Sequence, residues 1–155
     1  MARYISTIIL SILLITACGK KAGYPWFLGT LDEAKGIAGK KLIMLDFYAS
    51  WWGGCNLLDA DTLSDLKVVQ HASENLISIK VDVDKKEGSD LFSTFNGTAM
   101  PTLIFLDSSG NEVDRIIGYL PADKYLAKVA EIEANINTLG IFLYRLHNQY
   151  YQYKK

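Results

Sequence analysis

The chain has 155 residues, half of them hydrophobic, with 16 Lys and Arg against 17 Asp and Glu. That length supports one domain with a substantial core and leaves little room for a second. The charges are nearly balanced and spread without a basic block, so the phosphate-neutralising surface of a nucleic-acid binder is not expected.

At the N-terminus, Arg3 gives a short basic start and Ile5 to Ile15 form a mostly apolar run with small residues behind it. This is the pattern of a secretory signal, and the run falls short of the roughly 20 apolar residues of a permanent membrane span. Ile15-Thr16-Ala17-Cys18 resembles a bacterial lipobox; the alternative is an ordinary signal peptide with a chance cysteine. On the lipobox reading, residues 1–17 are removed and Cys18 carries a lipid anchor to the membrane. Residues 18–25 then form a tether, and the chain sits in the bacterial cell envelope, facing the periplasm or the cell surface. Cys55 would be the one remaining thiol, so no intramolecular disulfide can form, in a compartment where disulfides persist.

Thr30-Leu31-Asp32-Glu33 has the form of a capping box, and Leu31, Ala34, Ile37 and Ala38 share a helical face, predicting a helix that ends near Gly39. Leu42 to Tyr48 is apolar except for Asp46, which predicts a central strand covered on both faces and a buried carboxylate. Helix is expected from Cys55 to about Leu63, and a second helical piece from a cap at Ser64-Asp65 through Val68, Val69 and Ala72. Leu76 to Asp84 alternates as a strand, with Ile77, Ile79, Val81 and Val83 on one face and Ser78, Lys80 and Asp82 on the other. Ser89 to Phe95 reads as a short helix, and Pro101 introduces a strand over Thr102 to Leu106. Asp107-Ser108-Ser109-Gly110 is turn chemistry that makes a hairpin with Glu112 to Ile117. Pro121 opens a terminal helix carrying Tyr125, Leu126, Val129 and Ile132. This order predicts a three-layer α/β domain with a mixed central sheet flanked by helices.

Beyond residue 134, Leu139, Phe142, Leu143, Leu146 and Tyr150 recur at helical spacing, so residues 135–155 are expected to add an extra C-terminal helix to a domain spanning 26–134. Packing of that helix on the domain is one reading. Contact with a partner or membrane surface through Tyr144, Tyr150, Tyr151 and Tyr153 is the other. His71 and His147 are isolated, no metal-ligand spacing surrounds either, and both are expected at the surface. No cofactor is implied.

A dithiol pair works because one thiolate attacks a disulfide and a second thiol, close in sequence, resolves the mixed disulfide. Asp46-Phe47-Tyr48-Ala49-Ser50-Trp51-Trp52-Gly53-Gly54-Cys55 resembles the strand and active-site turn of the thioredoxin superfamily, and Asn96-Gly97-Thr98-Ala99-Met100-Pro101-Thr102 resembles its cis-proline loop. The likeness is greatest to envelope thiol-disulfide interchange proteins of the disulfide-bond D C-terminal-domain type, and it spans roughly Trp26 to Ile132. It implies a thioredoxin-like fold and protein or peptide substrates in the cell envelope. Cys55 takes the place of the resolving cysteine, Asp46 that of the family's buried acid, and Lys80 that of the lysine near it. Trp51, a cis Met100-Pro101 bond and Gly118 would border the substrate groove.

Three positions depart from the family. Trp52 stands where the nucleophilic cysteine belongs, Gly54 where proline is common, and Gly97 where a β-branched apolar residue is usual. Gly97 is expected to lose buried contact and to add backbone freedom. Cys55 is then either a thiol that forms mixed disulfides or a shielded helix thiol, and Trp52 either an aromatic groove contact or a replacement with no role. The family function is disulfide interchange and redox homeostasis. Here dithiol catalysis is expected to be lost or residual through Cys55, with non-catalytic binding of extended peptides or a partner protein as the alternative.

Overall fold

The computed structural model describes residues 23–152, with side chains through Gly140. The signal segment, Cys18 and most of the tether lie outside the described residues, as does Tyr153. The elements in order are α1 (Leu31–Ile37), β1 (Leu42–Tyr48), α2 (Gly53–Leu57), a π-helical turn (Leu58–Thr62), α3 (Leu66–Asn75), β2 (Leu76–Asp82), α4 (Lys86–Thr94), β3 (Thr102–Leu106), β4 (Glu112–Ile117) and α5 (Ala122–Gln152). They form the expected α/β fold around one four-stranded sheet of order β2-β1-β3-β4. β2 runs parallel to β1, while β3 and β4 are antiparallel to their neighbours.

The strand alternation separates two apolar layers. Leu42 and Met44 of β1, with Leu103 and Phe105 of β3, pack on one face against Leu58, Leu63, Val68, Ala72, Tyr125, Val129 and Ile132. Ile43, Leu45 and Phe47, with Ile104 and Leu106, pack on the other against Ala34, Ala38, Leu91 and Phe92. Asp46 shares parity with Leu42 and Met44, so it points into the layer that contains the turn after β1.

Local chemistry fixes most boundaries. The Thr30–Glu33 capping box forms as expected, and α1 ends at Ala38 before Gly39, whose φ of 57° suits glycine. Asp65 caps α3 by accepting from the Lys67 and Val68 amides. Three expectations need correction. The helix through Cys55 begins two residues earlier, at Gly53, and widens into a π turn at Leu58. α4 begins at Lys86 rather than Ser89, because its first turn is polar and gave no apolar signal. The C-terminal helix is present, but residues beyond 134 continue α5 without a break.

Gly97 also reads differently in three dimensions. A β-carbon there would lie 2.0 Å from Phe92 Cε2, and that ring stacks at 5.1 Å on Phe47 in the core. Phe92 therefore occupies the space a larger residue 97 would use, and buried contact is relocated rather than lost. His71 is half-buried rather than on the surface, with Nε2 3.0 Å from Glu133 Oε1, joining α3 to α5. Gly97→Ala should cost about 1–3 kcal/mol by displacing the Phe92 ring. Urea unfolding measures this; an unchanged midpoint would contradict it, and a Phe92→Leu background should absorb most of the loss.

Candidate functional site

The C-terminal end of β1 delivers the chain into the turn Ala49–Trp52, closed by the Trp52 amide donating to the Ala49 carbonyl at 3.1 Å. Trp52 is the N-cap of α2 and its carbonyl accepts from the Cys55 and Asn56 amides. Position 52 thus occupies the helix mouth, where the backbone dipole favours an anion, and fills it with an indole. A β-carbon on Gly54 would lie 3.0 Å from Trp52 Nε1 and 3.4 Å from Pro101 Cδ. The indole therefore folds back over Gly54 beside Pro101, and two departures from the family pattern, Trp52 and Gly54, are sterically coupled. Trp51 meets Trp52 edge to face at 6.0 Å, and its Nε1 donates to Asp84 Oδ2 at 2.8 Å.

Cys55, the third residue of α2, is 2% exposed and is a free thiol. Burial raises its pKa; the Ala49 backbone lowers it, and the charges of Asp46 and Asp59 add to the rise. The thiolate is therefore disfavoured where it stands.

Asp46 is 1% exposed, and neither carboxylate oxygen has a hydrogen-bond partner among the described residues. Lys80 Nζ approaches Oδ2 at 3.3 Å, an ion pair without hydrogen-bond alignment. Burial pushes the Asp46 pKa up to about 6, against the pull of Lys80 and with some help from Asp59. Burial alone would lower the Lys80 pKa, but the two carboxylates outweigh it and hold the ammonium charged. Lys80 is better bonded to Asp59, at 2.5 and 2.7 Å, and lies over the rings of Tyr48 and Trp26 at 4.6 and 4.8 Å.

The expected acid and lysine thus meet, while Asp59, Tyr48 and Trp26 complete a cage that sequence reasoning missed. The π turn is the reason. It presents Asp59 to Lys80, Asp61 to the Tyr119 hydroxyl, and Thr62 Oγ1 to the Leu120 carbonyl at 2.5 Å. Two aspartates two residues apart, Asp59 and Asp61, in the helical stretch after Cys55 were the available signal.

On the other side of the turn, the Met100-Pro101 bond is cis and the Gly118 amide donates to the Pro101 carbonyl at 2.8 Å. Gly118 takes φ 83°, a conformation that excludes most side chains. Met100, the residue before the cis bond, makes no backbone hydrogen bond among the described residues. Trp51 meets Trp52, the Trp52 indole and Pro101 both lie against Gly54, and Pro101 bonds Gly118, with Met100 next in the chain. Cys18 lies outside the described residues.

This sheet, cis-proline loop and turn define a thioredoxin-like protein. The family model for the thioredoxin-like domain matches residues 30–133, and the chain belongs to that family. It is similar to the thiol:disulfide interchange protein DsbD of Yersinia pestis (strain Pestoides F), 35% identical over 108 residues, which make up 68% of this chain and 18% of that protein. The chain thus spans less than a fifth of the length of such relatives. The oxidised C-terminal domain of DsbD from Neisseria meningitidis superposes with a TM-score of 0.55 at 27% identity, covering 64% of this chain and 87% of that one. A thioredoxin from Thermus thermophilus shares the fold, with a TM-score of 0.62 at 23% identity over 72% of this chain and 88% of that one.

The sign of the Asp46 effect is testable. Its folded pKa, about 6, lies above the ordinary carboxylate value, so folding is favoured below pH 4 and loses stability as pH rises toward 6 and beyond. Asp46→Asn should stabilise the fold by up to about 3 kcal/mol at pH 7–8, since Asp59 still pairs Lys80, and the gain should vanish near pH 4. Chemical denaturation across that range checks this; a variant less stable at pH 8 would contradict it.

Proposed function

We propose that the chain is an envelope member of the thiol:disulfide interchange line in which dithiol turnover is lost. The observation that carries this is Cys55, a buried thiol with a raised pKa and no cysteine at position 52. A lone thiol can form a mixed disulfide with a partner, but no neighbouring thiol resolves it. Asp46 and Lys80 keep the family's acid and lysine positions, 3.3 Å apart, without the cycle they would serve. The similarity to DsbD relatives supports placement in the bacterial envelope. On this reading residues 1–17 are removed, Cys18 carries the lipid anchor, and 18–25 are the tether.

A second reading, favoured by the exposed indoles and the unpaired Met100 backbone, gives the site a remaining task. The groove between Trp52 and Pro101 binds extended polypeptide by backbone pairing, without chemistry.

Insulin disulfide reduction separates these statements from an active enzyme. The unmodified chain should stay at background, and Trp52→Cys should rise above it. Sustained turnover by the unmodified chain would overturn the loss of activity. Trp52→Ala should weaken extended-peptide affinity about ten-fold, as for a central aromatic anchor. Unchanged affinity would remove Trp52 from the groove.

A further inference from the structure

The groove is framed by aromatic side chains whose polar tips are tied to exposed carboxylates. Trp51 and Trp52 are 64% and 47% exposed, and Tyr119, in the loop after β4, is 37% exposed. Trp51 Nε1 donates to Asp84 Oδ2, and the Tyr119 hydroxyl donates to Asp61 Oδ2. The Asp61 bond raises the Tyr119 pKa, and the Asp123 charge adds to the rise. Each of these two tethers uses one carboxylate oxygen. Asp84 Oδ1 and Asp61 Oδ1 have no partner among the described residues, and neither acid has a cationic one.

Nearby cations are mostly committed elsewhere. Lys85 Nζ lies 3.5 Å from Asp82 and Lys86 Nζ 2.5 Å from Asp90, while Lys80 is held by Asp46 and Asp59. Lys124, exposed and next to Asp123 in sequence, offsets that residue's charge. The rim therefore keeps an excess of negative charge set against aromatic faces. That combination recognises cations twice over, by Coulomb attraction at the carboxylates and by the electron-rich ring faces.

We propose that this groove selects extended polypeptide segments bearing Lys or Arg, with Asp84 and Asp61 as the charge-selecting residues. The inference rests on the groove reading above and names the partner chemistry for that same site. Arg is favoured over Lys, because its planar guanidinium can stack on an indole while bonding a carboxylate with two N–H groups.

Three unstructured, cysteine-free nonapeptides provide the probes, sharing a Gly-Ser-Leu framework and carrying three Arg, three Gln or three Glu. Calorimetric titration of the full chain in low salt should show the Arg peptide binding about ten-fold tighter than the Gln peptide, with the Glu peptide weaker than both. That spread should narrow at about 0.5 M salt, where exposed charges are screened. In the double variant Asp61→Asn, Asp84→Asn the Arg-over-Gln ratio should fall to about two or less. Asparagine keeps an oxygen to accept from Trp51 and Tyr119, and thermal unfolding verifies that the variant folds. Equal affinity of the unmodified chain for all three peptides overturns the charge selection while leaving the groove standing. Binding of none at millimolar concentration overturns both, and an Arg preference that survives the double substitution overturns the assignment to Asp61 and Asp84.

Discussion

A carboxylate buried in a central strand of the sheet sets the terms for the rest of the site. Asp46 stands in β1, between strands on both sides and beneath helices on both faces, where an ionised acid is expensive to hold. It is tolerated because Lys80 approaches from β2, in direct register with it, and because Lys80 is itself fixed by Asp59 and two aromatic rings. The arrangement is asymmetric. Asp59 holds the ammonium well, and Asp46 receives only a misaligned approach, so burial wins over attraction at Asp46 and its pKa rises. Burial, with the charges of the same two carboxylates, also raises the pKa of Cys55.

One local irregularity ties this buried network to the surface. Widening of the helix at Leu58–Thr62 sends Asp59 inward to Lys80 and Asp61 outward to Tyr119, while Thr62 anchors the loop that follows Gly118. The acid cage and the far wall of the groove are thus set by five consecutive residues. Trp52 and Gly54 form a second such unit: the indole needs the space that a side chain at 54 would take. Substitutions that look like independent lapses in a linear motif are a packed pair in space, as Gly97 and Phe92 are at the other end of the core.

Much of this was legible in the chain. β1 announced itself as an apolar run with one acid, and the turn residues Asp107–Gly110 and the cap at Asp65 marked their boundaries through side-chain hydrogen bonds that act locally. The site was half legible. Asp46, Cys55 and Pro101 could be placed because they sit in motifs of fixed spacing, and Lys80 and Gly118 because they match positions of the family. Asp59, Tyr48 and Trp26 could not, because their roles arise from long-range approach: Lys80 meets residues from β1, the π turn and the segment before α1. The start of α4 was missed because its first turn is polar, and periodicity reports only helices that bury a stripe.

The central claim is that Cys55 is a shielded, protonated thiol beneath a turn whose outer position is an indole. The most direct measurement is the alkylation rate of Cys55 by iodoacetamide, followed by peptide mapping as a function of pH. The account predicts reaction at pH 7 at least about a hundred-fold slower than for the same residue in unfolding denaturant, with no plateau below pH 9. Rapid labelling of the native chain at pH 7, with a plateau below the ordinary thiol pKa, would contradict it.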